Sequence, residues 1–208
     1  ETLVGVQDVF CVPPSHAFSQ LLTTCQPLLG DDARIAWATK GIDPESYELL
    51  DQVAKNLLGD RAYAVLSGPS FAKEVAQGLP TSVTVAANQK AFADDLVRRF
   101  QGDNFCLYTS DDLIGVQIGG ALKNVYAIAA GISDGLGYGA NARCALITRA
   151  LHELSKLGVA MGAKPQTFMG LSGVGDLVLT CTDNQSRNRR FGLALGEGKT
   201  IEQAEAGI

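Results

Sequence analysis

The residue best placed to do chemistry is Lys123, because its segment offers no other reason to hold a charge. Residues 113–132 carry a helical apolar stripe of Ile114, Ile118, Leu122, Val125, Ala129 and Ile132. At about 100° per residue, Lys123 lies roughly opposite Ile114, among Val116, Gly119, Gly120, Ala127 and Ala130, none of them polar. A helix that is apolar all round is buried, and a lysine on it must snorkel, pair or act. Gly119 and Gly120 each cost about 1 kcal/mol relative to Ala in a helix interior, so something must approach closely there. A structural carboxylate partner and a catalytic ammonium both remain open at this point.

Three further segments could hold an anion. Ser67-Gly68-Pro69-Ser70-Phe71-Ala72 sits where a strand hands over to a helix. Ligands of open α/β sheets bind at such carboxyl ends, and free N–H groups wait at a helix start; plain turn chemistry would also account for the segment. Lys40-Gly41 follows another strand candidate, where a lone lysine is ordinarily solvated. Ser186-Arg187-Asn188-Arg189-Arg190 precedes a helical pattern, with Ser186 as a cap and Arg187 as a planar fork suited to phosphate. Three arginines in four positions cannot share one face, so Arg190 is expected in solvent; an ordinary basic surface is the alternative. Gly173-Val174-Gly175-Asp176 begins like a dinucleotide fingerprint, but the third glycine is missing and no strand precedes it. Its interest is Asp176, acidic and ten residues before Ser186, or else a simple helix cap.

The elements that must position these residues alternate up to Ser110. Strands are expected over 9–12, 34–38, 62–66, 82–86 and 105–108. Asp43-Pro44 opens a helix that Gly59 closes, a short helix follows Ser70, and another runs over 91–100. This alternation implies a mainly parallel sheet with helices on both faces. Beyond Ser110, expected to cap the next helix, the patterns are helical: 113–131, 141–157, 174–179 and 188–195. Thr200 with Gln203 makes a capping box for one more. The chain therefore reads as α/β, a partial Rossmann-type domain over 1–110 followed by an all-helical domain over 111–208.

Composition narrows the function classes. The 208 residues are 46% hydrophobic and 19% charged, which excludes disorder. The net charge is -5, with 8 basic against 13 acidic residues up to Ser110 and 9 of each beyond. That balance disfavours nucleic acid and suits a small anion near Arg187. The five cysteines are odd in number, scattered and without a C-x-x-C, arguing against a disulfide framework or a structural zinc site and for a cytoplasmic setting. The most apolar stretch, 113–132, contains Gln117, Lys123 and Asn124 and is not read as membrane-spanning. No metal site is expected.

Four segments together, Leu66-Ser67-Gly68-Pro69-Ser70-Phe71-Ala72, Gly120-Ala121-Leu122-Lys123-Asn124-Val125, Leu171-Ser172-Gly173-Val174-Gly175-Asp176-Leu177 and Ser186-Arg187-Asn188, resemble the bacterial NAD(P)-dependent glycerol-3-phosphate dehydrogenases. The resemblance implies reversible reduction of dihydroxyacetone phosphate to sn-glycerol 3-phosphate, feeding glycerophospholipid synthesis, with NAD or NADP as cofactor. It implies Lys123 as the catalytic lysine. Lys40, Gly68, Ser70, Asp176, Ser186, Arg187 and Asn188 would line the substrate, and Lys40, Ala72 and Arg187 the cofactor. Related 3-hydroxyacid dehydrogenases and a non-catalytic interaction or dimerisation module are the competing readings. The family's glycine-rich loop is not found in the chain, which opens on Glu1 rather than methionine; an incomplete chain, also short at its C-terminal end, is expected. A homodimer is expected only from the general frequency of such assemblies.

Overall fold

In the computed structural model, the structure describes Leu3 and residues 5–208. Glu1, Thr2 and Val4, at the start of the expected first domain, lie outside the described residues. Five strands form one sheet in the order β1 (Asp8–Cys11), β2 (Arg34–Trp37), β3 (Tyr63–Ser67), β4 (Thr81–Ala87), β5 (Phe105–Ser110). Strand β3 is buried along its whole length, as its unbroken apolar run requires at the centre of a covered sheet. One face packs on α1 (Phe18–Cys25) and α2 (Leu50–Leu58) through Phe18, Leu22, Trp37, Val53 and Val65. The other packs on α4 (Lys90–Phe100) through Phe92, Leu96, Leu66 and Val85.

The sheet is mainly parallel, as expected, with one reversal, and two helix starts differ from the sequence expectation for local reasons. Strands β1, β2 and β3 run parallel, but β4 runs antiparallel to β3, and β5 parallel to β4. Between β3 and β4 lies only α3 (Ala72–Ala76), which buries no residue. A parallel crossover needs a helix packed on the sheet, and this one does not pack, so the chain returns directly. The helix expected from Asp43 begins at Leu50 instead. The Asp43 carboxylate accepts hydrogen bonds from the Glu45 and Ser46 backbones (3.2 and 2.9 Å), turning the chain instead of capping a helix. Asp112 caps α5 in place of Ser110, accepting from the Gly115 backbone at 2.8 Å. The same carboxylate accepts from the Lys164 backbone (2.8 Å) and the Thr167 hydroxyl (2.5 Å), so it also holds the turn beyond α6.

From α5 (Leu113–Gly135) onward, the elements are helical: α6 (Gly139–Ala160), α7 (Asp176–Thr182), α8 (Arg187–Gly196) and α9 (Ile201–Ala206). Helix α5 is long and apolar enough to cross a membrane by length and composition. Here it is the central post of the fold, packed by β3, α6, α7 and α8, with Val116, Ile118, Ala127 and Ala130 buried. It meets α8 backbone to backbone. A β-carbon at Gly131 would collide with the Arg189 carbonyl, and one at Gly192 with the Ile128 carbonyl. Gly135 and Gly196, one turn further along, abut the partner helix in the same way. The Thr200–Gln203 capping box forms as its residue types require.

Candidate active site

The carboxyl ends of β2 and β3 deliver Lys40 and Gly68 to the inner face of α5. Gly68 has φ 150° and lies against Val83 of β4, a conformation and a closeness that suit glycine. Its carbonyl accepts hydrogen bonds from Lys40 Nζ at 2.8 Å and from Ser70 Oγ at 3.1 Å. Gly120 is what lets Lys40 in: a β-carbon there would stand 2.7 Å from Ser67 Oγ and 3.2 Å from Lys40 Cγ. Gly119 takes the backbone of Ser172, at the turn before α7, closer still. Both helix glycines are thus accounted for by close approach.

Asp176 lies at the centre, 1% exposed, at the first position of α7. One carboxylate oxygen accepts from Lys40 Nζ at 2.6 Å; the other accepts from Lys123 Nζ at 2.5 Å. Lys123 is 8% exposed and also donates to Thr180 Oγ1 at 3.1 Å. Two ammonium groups therefore share one buried carboxylate. Burial, and then the positive charge of Lys40, bring the Lys123 pKa down from 10.5 to about 8, while Asp176 holds it up. Both the charged and the neutral lysine are accessible near neutral pH, as a proton donor and acceptor requires. Cys181, on the same helix as Asp176, is no rival nucleophile: burial pushes its thiol up to about 12.

The second group of predicted residues stands at the start of α8. Ser186 is buried and its hydroxyl accepts from the Arg189 backbone at 3.2 Å, as a cap. Arg187 is exposed and Asn188 is half-buried. Gln185, just before them, donates to Glu74 of α3 at 2.7 Å, which ties the turn before α8 to the short helix that follows Gly68 and Ser70. Ala72 is exposed and borders an apolar cleft of about 330 Å3 lined by Phe10, Ala38, Leu66, Ser70 and Val75. The structure thus joins Lys40, Gly68, Ser70, Lys123 and Asp176 by direct hydrogen bonds; Ser186, Arg187 and Asn188 stand apart at the start of α8, and Ala72 opens α3.

Sequence reasoning did not name Thr180, and it named Arg189 only as one of a cluster. Thr180 touches both Lys123 and Asp176, and its signal was the i,i+4 spacing from Asp176. Arg189 is buried and fully bonded. Arg190, expected in solvent, is half-buried, with its Nε enclosed and unpartnered; Arg187 is the exposed member of the three.

Two family models match the chain: the N-terminus of NAD-dependent glycerol-3-phosphate dehydrogenase over residues 1–93, and its C-terminus over 112–208. The glycerol-3-phosphate dehydrogenase (NAD(P)+) of Vibrio campbellii is 57% identical over 204 residues, covering 97% of this chain and 59% of that protein. Its counterpart from Haemophilus ducreyi is 58% identical over 209 residues, 100% of this chain and 62% of that one. The crystal structure of glycerol-3-phosphate dehydrogenase from Coxiella burnetii superposes with a TM-score of 0.95 at 53% identity, over 98% of this chain and 62% of that one. The chain spans about three fifths of the length of the curated relatives it matches.

Proposed function

The chain belongs to the NAD-dependent glycerol-3-phosphate dehydrogenase family, and from that premise we propose that its site reduces dihydroxyacetone phosphate to sn-glycerol 3-phosphate, reversibly. The observation that carries the proposal is Asp176 holding the ammonium groups of Lys40 and Lys123. In this reading, residues 1–110 contribute part of the nucleotide-binding domain and 111–208 the catalytic one.

The residues present fit the nicotinamide end of a dinucleotide. The loops after β1, β2 and β3 meet there: the Thr39 hydroxyl donates to the Pro13 carbonyl at 2.7 Å, and Lys40 donates to Gly68. Small side chains at Ala38, Ser70 and Ala72 border the open cleft. Lys40, Ala72 and Arg187 would hold the cofactor, as NAD or NADP. When bound, the reduced nicotinamide supplies a hydride to the C2 carbonyl carbon.

The chain's own residues manage the charge that follows. As negative charge develops on the C2 oxygen, the Lys123 ammonium stabilises it and gives it a proton. Asp176 keeps that ammonium charged despite its burial, and Lys40 beside it keeps the pKa low enough for release. In the oxidative direction, neutral Lys123 takes the hydroxyl proton. Gly68 and Ser70 present backbone and hydroxyl groups toward the substrate. The exposed Arg187 fork, with Asn188 and the free N–H groups at the start of α8, receives its phosphate. Ser186 contributes by capping that helix start. Five free thiols support a cytoplasmic setting.

The test is Lys123→Ala in the whole protein, with turnover of dihydroxyacetone phosphate followed by NADH or NADPH absorbance. Turnover should fall about a hundredfold or more, the usual scale for a lost proton donor. An unchanged rate would sink the assignment.

A further inference from the structure

We propose that Arg189 is a positioning residue for the phosphate end of the substrate, an inference that rests on the function proposed above. Arg189 is buried, and its three side-chain nitrogens are all engaged. Nε donates to the Cys181 carbonyl at the end of α7, at 3.1 Å. Nη1 donates to Asn184 Oδ1 in the turn between α7 and α8. Nη2 donates to Asp134 Oδ2 on α5, at 2.5 Å. Its backbone N–H goes to the Ser186 cap. Asp134 is itself anchored by Arg143 of α6 at 2.8 Å.

One guanidinium therefore ties the turn at 183–186 to three helices. With its side chain so engaged and enclosed, it has no role in touching a phosphate. Nor is helix cohesion a sufficient reason for it, since an apolar side chain of similar volume would hold two helices without the desolvation cost of a buried charge. What a planar fork adds is direction: it fixes three acceptors in one plane. Those acceptors set where α8 begins, and so where Arg187, Asn188 and the free N–H groups stand. Lys40, Lys123 and Asp176 are held by their own hydrogen bonds at the opposite end of α7. Loosening Arg189 should therefore disturb phosphate holding and spare proton transfer.

The experiment compares Arg189→Lys, Asp134→Asn and Arg187→Ala in the whole protein. Steady-state kinetics are measured with dihydroxyacetone phosphate and with unphosphorylated dihydroxyacetone, alongside thermal unfolding. Arg189→Lys should raise KM for the phosphorylated substrate about tenfold, the size of one lost charge-assisted contact, with kcat changed less than about threefold. Preference for the phosphorylated substrate should shrink by the same factor. Asp134→Asn should move KM the same way by less, and stands in if Arg189→Lys does not fold. A lower melting temperature with KM unchanged, an equal loss for both substrates, or failure of both variants to fold makes Arg189 merely structural and overturns the inference. If Arg187→Ala leaves the phosphate preference intact, the phosphate site itself is wrong. If Arg187→Ala abolishes the preference while Arg189→Lys and Asp134→Asn keep it, only the inference about Arg189 fails.

Discussion

Replacing Asp176 by asparagine removes a charge and keeps a shape. The carboxylate lies within hydrogen-bond distance of both ammonium groups, at 2.6 and 2.5 Å. A unit charge about 4 Å from another is worth about 4 kcal/mol at the effective dielectric that best describes protein sites. The asparagine carbonyl still accepts one hydrogen bond, returning about 1 kcal/mol. The net loss of about 3 kcal/mol corresponds to about 2 pKa units. Lys123 should then titrate near 6, starting from about 8. At pH 7 its protonated share should fall from about nine in ten to about one in ten, so reduction should slow about tenfold from protonation alone. The alkaline limb of the pH–rate profile should move down by the same two units. A direct readout is the carbon-13 NMR titration of lysine ε-carbons, made with the 208-residue chain and its Asp176→Asn variant. A Lys123 midpoint that stays at about 8, or rises, would refute the account of Asp176 as the support of that charge.

Stability should follow the same group. Folded Lys123 titrates at about 8 against 10.5 for an unperturbed lysine, so the native state holds fewer protons between those values. Relative to Lys123→Met, the protein should gain stability as pH rises through that window, by up to about 3 kcal/mol in urea titrations; a flat difference would count against a buried charge. Because Arg187 is solvent-exposed in the structure, Arg187→Ala should cost about 1.5–2 kcal/mol in catalytic efficiency with the phosphorylated substrate, about ten- to thirtyfold. Exposed Arg149→Ala serves as its control, and similar losses in both would remove the phosphate site. The 208 residues alone should bind NADH weakly, because no glycine-rich turn follows a strand among the described residues; micromolar binding by calorimetry would contradict this. Gly192→Ala should destabilise the fold by about 3 kcal/mol, since its β-carbon meets a backbone carbonyl rather than a movable side chain; an unchanged urea midpoint would show that the helices can part.

What the sequence revealed depended on how local the cause was. Lys123 could be read as buried because its own helix has no polar face, and the Ser186 and Thr200 caps follow from residue types within three positions. Asp43 and Ser110 misled because each can bond either a helix start or a turn, and the neighbouring backbone decides. The reversal at β4 was hidden because it turns on whether α3 packs, which five residues cannot declare. The pairing of Lys40 with Asp176, 136 positions apart, has no trace in spacing. The arginines at 187, 189 and 190 were legible as a divided cluster, but which one turns inward is set by Asp134 and Cys181.

The glycine seam between α5 and α8 has a consequence for motion. A step of one residue along a helix is 1.5 Å, and any such slide would drive a carbonyl of one helix onto a side chain of the other. Rotation meets the same obstacle. Lys123 rides on the first of these helices and Arg187 opens the second, so main-chain contact fixes the spacing of the two backbone positions from which these long side chains extend. Any change of reach between them has to come from side-chain rotamers and not from helix motion. A random library selected for turnover should return glycine at 131, 135, 192 and 196 and variety on the outer face of α6.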